Sequence, residues 1–246
     1  MTRSLFVVSL PRSLSTTLYH ASTQALRLRE PSWTTGGEIL NRERTRARRR
    51  SRTPDGRFTV RESQPALFAQ FESLLGQSVE PFGFAYKDVV QPFVVANWLD
   101  AREVCVLKVR RDIAEVAYSM IGRRWDYPAD AASLNLTQPR AVIEGLLRAE
   151  SVLEALPGVT IDYPDALTSH GPLRDALGLL YPNSTLAPIG YIDRKFVRTR
   201  ARLEDRRRDS VLFHQLRDLV AEVRSSMVAL VEPEPEIDRL SAPASR

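Results

Sequence analysis

A single cysteine, Cys105, occurs in the 246 residues, so no internal disulfide can form and the chain fits a reducing cytoplasm. Long apolar runs are missing too. The stretch near the N-terminus, Leu5 to Leu10, stops at Pro11, too short for a signal-peptide core, and no later run approaches the roughly 20 residues of a membrane span. The expectation is a soluble, cytoplasmic protein. Lysine is scarce: Lys87, Lys108 and Lys195 are the three lysines among 35 basic residues, the rest being arginine. That bias lowers the information in any one arginine and raises it slightly in each lysine. No internal repeat is visible. What is present is a 43% hydrophobic composition, enough for a sizeable core in one α/β domain, and a net charge of +5 that suits an anionic ligand.

The residues around which the rest is organised are 5 to 18, LFVVSLPRSLSTTL. An apolar run breaks at Pro11, Arg12, Ser13, Leu14, Ser15, Thr16 and Thr17 follow, and apolar residues then resume at helical spacing, which reads as strand, loop and helix. A loop so placed aims backbone N–H groups and hydroxyls at an anion, and the helix N-terminus adds about half a positive charge. Arg12 adds a whole one. A Walker A loop requires G-x-x-x-x-G-K-[ST], with lysine on the phosphates and a hydroxyl on Mg²⁺. This loop has neither glycine nor lysine, which speaks against an ATP-driven phosphotransferase and against a metal requirement.

A second unit of the same kind follows later. Glu103 to Val109 has β-branched residues on both faces, as an interior parallel strand does, and runs into Arg110, Arg111 and Asp112 before a helix from Ile113 to about Gly122. Two such units in one parallel sheet place both turns at its carboxyl edge, where open α/β sheets bind ligands. Between them the pattern predicts a helix over Ser15–Leu28, a polar loop from Trp33 to Glu38 with paired glycines, and an arginine-rich run from Arg42 to Arg52. The run reads as a solvated basic segment. Short helices are expected at Leu67–Leu75 and Val90–Leu99, with a buried strand at Phe82–Tyr86 that ends in Lys87 and Asp88. Beyond Gln138 come a helix carrying Val142 to Leu156, a strand from Gly158 to Tyr163, a helix from Pro172 to Leu180, a cationic loop from Tyr191 to Arg200 and a long amphipathic helix from Leu212 to Leu230. The tail, 232–246, is polar and proline-rich and is expected to be loose, leaving one domain over residues 1–231.

LPRSLSTTL resembles the P-[RK]-[ST]-G-[ST]-T loop of sulfotransferases that use 3′-phosphoadenosine 5′-phosphosulfate (PAPS). RDIAEVAYSM is similar to their second nucleotide signature, an arginine closing a strand and a serine eight positions later, here Arg111 and Ser119. IDYPDAL is similar to the Y-E-D-L segment after the family's third strand. The resemblance implies a three-layer α/β fold of the P-loop NTPase-like kind, with a central parallel sheet flanked by helices. It implies that Arg12 holds the 5′-phosphosulfate, assisted by Ser13, Leu14, Ser15, Thr16 and Thr17, and that Arg111 and Ser119 hold the 3′-phosphate. A guanidinium meets a phosphate with two donors at once. Tyr163 resembles the tyrosine lining the adenine pocket, and Arg194 and Lys195, with Arg198 and Arg200, resemble a late basic loop closing on the 3′-phosphate. Leu14 stands where the family has glycine, a position that strains leucine if φ is positive there.

Sulfuryl transfer to a hydroxyl needs a general base. The K-x-H histidine of many cytosolic members is absent, with Val89 in its place after Lys87 and Asp88, and His20, His170 and His214 read as structural. Other members resemble each other in a glutamate on the loop after the first helix, and Glu38 matches it. Glu38 is the first candidate and Asp88 the second, with Lys87 steadying the sulfuryl oxygens. Trp33 and Trp125 are as compatible with core packing as with an acceptor pocket. The expectation is a PAPS-dependent sulfotransferase acting on a hydroxyl, or an amine, of a small molecule, with no metal and no membrane. The alternatives are a P-loop kinase-like phosphotransferase and a nucleic-acid-binding protein using residues 42–52.

Overall fold

The apolar run Leu5–Ser9 is buried along its whole length, which only an interior strand covered on both faces allows. The computed structural model describes residues 2–32, 34, 36–38, 79–89, 104–122 and 139–229. Trp33, the arginine run 42–52, the helices expected at 67–75 and 90–99, Trp125 and the tail 232–246 lie outside the described residues. In chain order the elements are β1 (Leu5–Ser9), α1 (Ser15–Leu26), β2 (Ala85–Val89), β3 (Cys105–Arg110), α2 (Ile113–Ile121), α3 (Pro139–Ala155), β4 (Val159–Asp162), α4 (Tyr163–Thr168), α5 (Gly171–Leu180), α6 (Arg194–Arg208) and α7 (Val211–Ala229).

The sheet has the order β2-β1-β3-β4, and every neighbouring pair is parallel. Alternation along β1 divides the core in two. Leu5 and Val7 pack with Leu18, Tyr19, Ala85, Leu107 and Leu177 beneath α1 and α5. Phe6 and Val8 pack with Tyr86, Val106, Val116, Met120, Ile143, Leu146 and Leu216 beneath α2, α3 and α7. The result is a three-layer α/β arrangement with the carboxyl ends of all four strands on one edge. Among the described residues no helix is long and apolar enough to cross a membrane.

Two elements depart from the sequence pattern. The strand expected at Phe82–Tyr86 is β2, Ala85–Val89, with Phe82 exposed and Lys87 and Asp88 inside the ladder at 3% and 2% exposure. Charge, taken as the end of the strand, is accommodated because each group has a partner: Lys87 Nζ donates to Glu38 Oε1 at 2.6 Å, and Asp88 Oδ1 accepts from Val89 N at 2.8 Å. The cationic stretch expected as a loop is helix α6 from Arg194 onward, started by Asp193, whose Oδ1 accepts from Phe196 N at 2.7 Å. Its inward face is charged, so apolar periodicity could not reveal it.

The glycine pair after α1 has one position that must be glycine. Gly37 has φ 76°, and a Cβ there would lie 2.4 Å from Cζ of Tyr19, whose hydroxyl donates to Ala85 O at 3.2 Å. Gly37 O accepts from Lys87 N at 2.9 Å, so the loop is pinned against β2. Gly37→Ala is expected to destabilise the fold by about 2–4 kcal/mol, from overpacking together with a left-handed backbone. Thermal unfolding of the variant beside Gly36→Ala checks it. Gly36 is also at positive φ, and among the described residues nothing lies within 4 Å of its Cβ position, so its variant carries only the backbone share.

Candidate functional site

Residues 10–14 carry β1 into α1, and two of them are non-glycine residues at positive φ: Arg12 at 61° and Leu14 at 66°. The backbone at Leu14 therefore takes the left-handed path that glycine adopts freely, at a cost of about 1–2 kcal/mol for leucine. Its side chain offsets part of this by packing against the cluster beneath α1. Leu14 makes no side-chain cap, and the first turn of α1 holds no acidic residue, so the positive end of the helix dipole has no carboxylate of its own there. Ser13 is fully buried, with Oγ donating to Pro11 O at 3.3 Å, while Ser15 and Thr17 are half-buried and Thr16 is exposed. Ser9, at the end of β1 just before this loop, is buried with no hydrogen-bond partner for its Oγ among the described residues.

The second turn closes onto the first. Arg111, 9% exposed, donates from Nη1 to the carbonyl oxygen of Arg12 and from Nε to Glu115 Oε2 at 3.0 Å. Arg12 Nε in turn donates to Ser119 Oγ at 3.3 Å. Arg12, Arg111 and Ser119 are thus joined side by side at the carboxyl edge. Asp112 caps α2 by accepting from Glu115 N at 3.0 Å, which fixes Arg111 and Glu115 at the start of the same helix. Arg110 instead forms a two-point pair with Asp162, at 2.6 and 3.0 Å, both half-exposed.

Tyr163 stands at the start of α4 as a buried ring. The Arg111 guanidinium lies 4.0 Å from its centroid and the Arg200 guanidinium 4.5 Å, and Arg200 Nη1 donates to its hydroxyl. Burial pushes the Arg200 guanidinium below its usual pKa. Beyond it, Glu204 pairs with both Arg200 and Arg207, and Arg207 reaches back to Glu115. Arg200, rather than Arg194 or Lys195, is the α6 residue placed on Tyr163. Arg194 and Lys195 are exposed in the first turn of α6, as is Arg198 one turn on. Sequence reasoning did not single out Glu115, Glu204 or Arg207. The signal was the spacing 200, 204 and 207, one face of a helix.

The third part of the site is the Glu38–Lys87 ion pair, at 2.6 Å with side-chain exposures of 29% and 4%. Lys87 pairs in register with Val7 and shares a β2 face with Ala85, so it lies on the side of the sheet that α1 covers. Asp88 follows it in the strand and points to the opposite face, with Tyr86. The two base candidates thus sit on opposite sides of β2. Lys108 is structural. Its Nζ donates to Leu156 O at 2.6 Å and Glu154 O at 3.3 Å, capping the end of α3, and burial lowers its pKa. The histidines make other contacts. His20 is exposed beside Tyr19, His170 packs edge-on to Tyr191, and His214 Nε2 contacts Arg208 O.

Fold and site define an α/β protein with two strand-to-helix turns converging on one cationic edge. No protein-family model matches the chain, and no curated protein matches it. Among solved structures it is similar to a sulfotransferase from Alicyclobacillus acidocaldarius, at 14% identity and TM-score 0.44 over 94% of this chain and 96% of the other. A sugar kinase from Janibacter sp. HTCC2649 is similar at 14% identity and TM-score 0.45, over 75% of this chain and 97% of the other. The sulfotransferase domain of the curacin biosynthetic pathway is similar at 13% identity and TM-score 0.39, over 80% and 77%. At TM-scores below 0.5 none of these likenesses says what the chain does.

Proposed function

We propose that this protein is a sulfotransferase that moves a sulfuryl group from PAPS to a hydroxyl, or an amine, of a small-molecule acceptor. The observation that carries the reading is the junction of the two turns: Arg111 donating to the Arg12 carbonyl, and Arg12 donating to Ser119. One strand away, on the face that α1 covers, lies a carboxylate held by a buried lysine.

The residues fit a nucleotide with charge at both ends. The α1 N-terminus, whose N-cap residue Leu14 supplies no side-chain cap, and Arg12 suit one anionic group, and Arg111 with Ser119 suits a second. When bound, PAPS supplies a sulfuryl group already activated as a mixed anhydride. Arg12 and the first-turn N–H groups of α1 bind that end and favour the charge that develops on the leaving oxygen. Glu38 takes the proton from the acceptor hydroxyl, and Lys87 fixes the carboxylate in position. In this reading Asp88, on the other face of β2, has no part in the proton transfer.

Calorimetry with adenosine 3′,5′-bisphosphate and with ATP, on the wild type and on Arg111→Ala, tests the proposal. The bisphosphate is expected to bind at moderate salt more tightly than ATP, and Arg111→Ala to lose about 10- to 100-fold in affinity, the worth of charge-assisted hydrogen bonds to a phosphate. No binding of the bisphosphate, or no loss in the variant, sinks the reading.

A further inference from the structure

Helix α6, Arg194–Arg208, has no buried residue along its 15 positions. A helix of that kind needs something other than the hydrophobic effect to hold it. Its inward stripe is Phe196, Arg200, Glu204 and Arg207, and outside it Arg194, Lys195, Arg198, Arg202, Arg206 and Arg208 are exposed. The ties to the body are chiefly charged: Arg200 on Tyr163, Arg207 to Glu115, and Arg207 over Phe213 at 5.2 Å, with the Phe196 ring edge-on to Tyr191 at 6.2 Å. Glu204 joins the two arginines.

Around Tyr163 the network holds the cations Arg111, Arg200 and Arg207 and the anions Glu115 and Glu204. Arg12 stands next to it through Ser119. Among the described residues these are four cations to two carboxylates, an excess of two before any ligand arrives. A phosphate dianion would match that excess, but the guanidinium groups of Arg111 and Arg200 that would face it are already engaged by Glu115 and Glu204, so one of these carboxylates has to give way. Glu115 is anchored on α2, which buries Ile113, Ala114, Val116, Ala117 and Met120. Glu204 belongs to α6, where no residue is fully buried.

We propose that Glu204 is an internal stand-in for the ligand anion: it neutralises Arg200 and Arg207 in the free protein, and a phosphate group bound at Arg111 takes Arg200 over from it. Helix α6 is then a charge-held strap whose hold passes from Glu204 to the ligand. The identity of that ligand rests on the sulfotransferase reading. The ionic hold on α6 does not.

Two measurements separate these. Hydrogen exchange of the free protein, followed by mass spectrometry at about 0.02 M and about 0.5 M NaCl, is expected to show α6 amides exchanging at least about tenfold faster at high salt, with α2 unchanged. Exchange of α6 indifferent to salt overturns the strap. Calorimetry of Glu204→Gln with adenosine 3′,5′-bisphosphate and with inorganic pyrophosphate is expected to show binding tighter than wild type by about three- to tenfold, since a partly buried competitor charge has been removed. Unchanged or weaker binding overturns the stand-in role while leaving the sulfotransferase reading intact. Failure of the bisphosphate to bind either protein overturns that reading and the ligand exchange together, and the exchange data still decide how α6 is held.

Discussion

Glu38→Gln is expected to lower turnover by about 10²- to 10⁴-fold while leaving the affinity for adenosine 3′,5′-bisphosphate within about twofold of wild type. The amide keeps the shape of the side chain and an oxygen that still accepts from Lys87, but it cannot take a proton from an acceptor hydroxyl. The loss therefore falls on kcat with any accepted alcohol, and nucleotide binding at Arg12 and Arg111 is spared. Single-turnover sulfuryl transfer from PAPS, beside calorimetry on the same variant, makes the comparison. Retained turnover would move the base elsewhere, and Asp88→Asn then becomes the decisive variant.

The ion pair gives Glu38 a second role, and a second variant separates the two. Lys87 is 4% exposed at its side chain, so removing the charge of Glu38 leaves a buried ammonium without its counter-ion, at a cost of several kcal/mol if no other group compensates. Lost activity could then come from a damaged strand β2. Glu38→Gln combined with Lys87→Met removes both charges and is expected to recover most of the lost stability. Activity should stay low in the double variant. If it returns with stability, Glu38 is a structural partner of Lys87 and not the base.

Much of this site could be read from the chain because its parts lie next to strand ends. The apolar runs at Leu5 and Val104 announce interior strands, and the polar residues that interrupt them, Arg12 and Arg111, must then stand at the carboxyl edge. That inference needs no knowledge of which strands are neighbours. The pairing of Glu38 with Lys87 does need it, because it depends on the loop after α1 lying along β2, which the Gly37–Tyr19 contact and the Gly37–Lys87 hydrogen bond enforce. The charged inward stripe of α6 was illegible for a different reason. Arg200, Glu204 and Arg207 satisfy one another and Glu115, so the helix carries none of the apolar rhythm that marks a packed face. Leu14 lies between these cases. The resemblance marked it as the residue that would be strained if the loop took the usual path, and its φ of 66° shows that the backbone is indeed left-handed there.

The largest effect on the fold is expected from Gly158→Ala, and it reaches the site. Gly158 has φ 118°, and a Cβ there would meet Val106 O at 2.3 Å and Val106 Cβ at 2.8 Å. Val106 belongs to β3, which is hydrogen-bonded on both sides, to β1 and β4, so its carbonyl cannot retreat without opening the sheet. Strained backbone and a backbone clash together are expected to cost about 4 kcal/mol or more, at the upper end for a single substitution. Denaturant unfolding measures this. Should the variant fold, β4 must shift away from β3, and β4 leads directly into Tyr163, on which Arg111 and Arg200 rest. Weakened binding of the bisphosphate, with α1 and β2 as protected from hydrogen exchange as in the wild type, is the expected result in that case. A variant with wild-type stability would show that β4 lies farther from β3 than the pairing of Leu107 with Val159 places it.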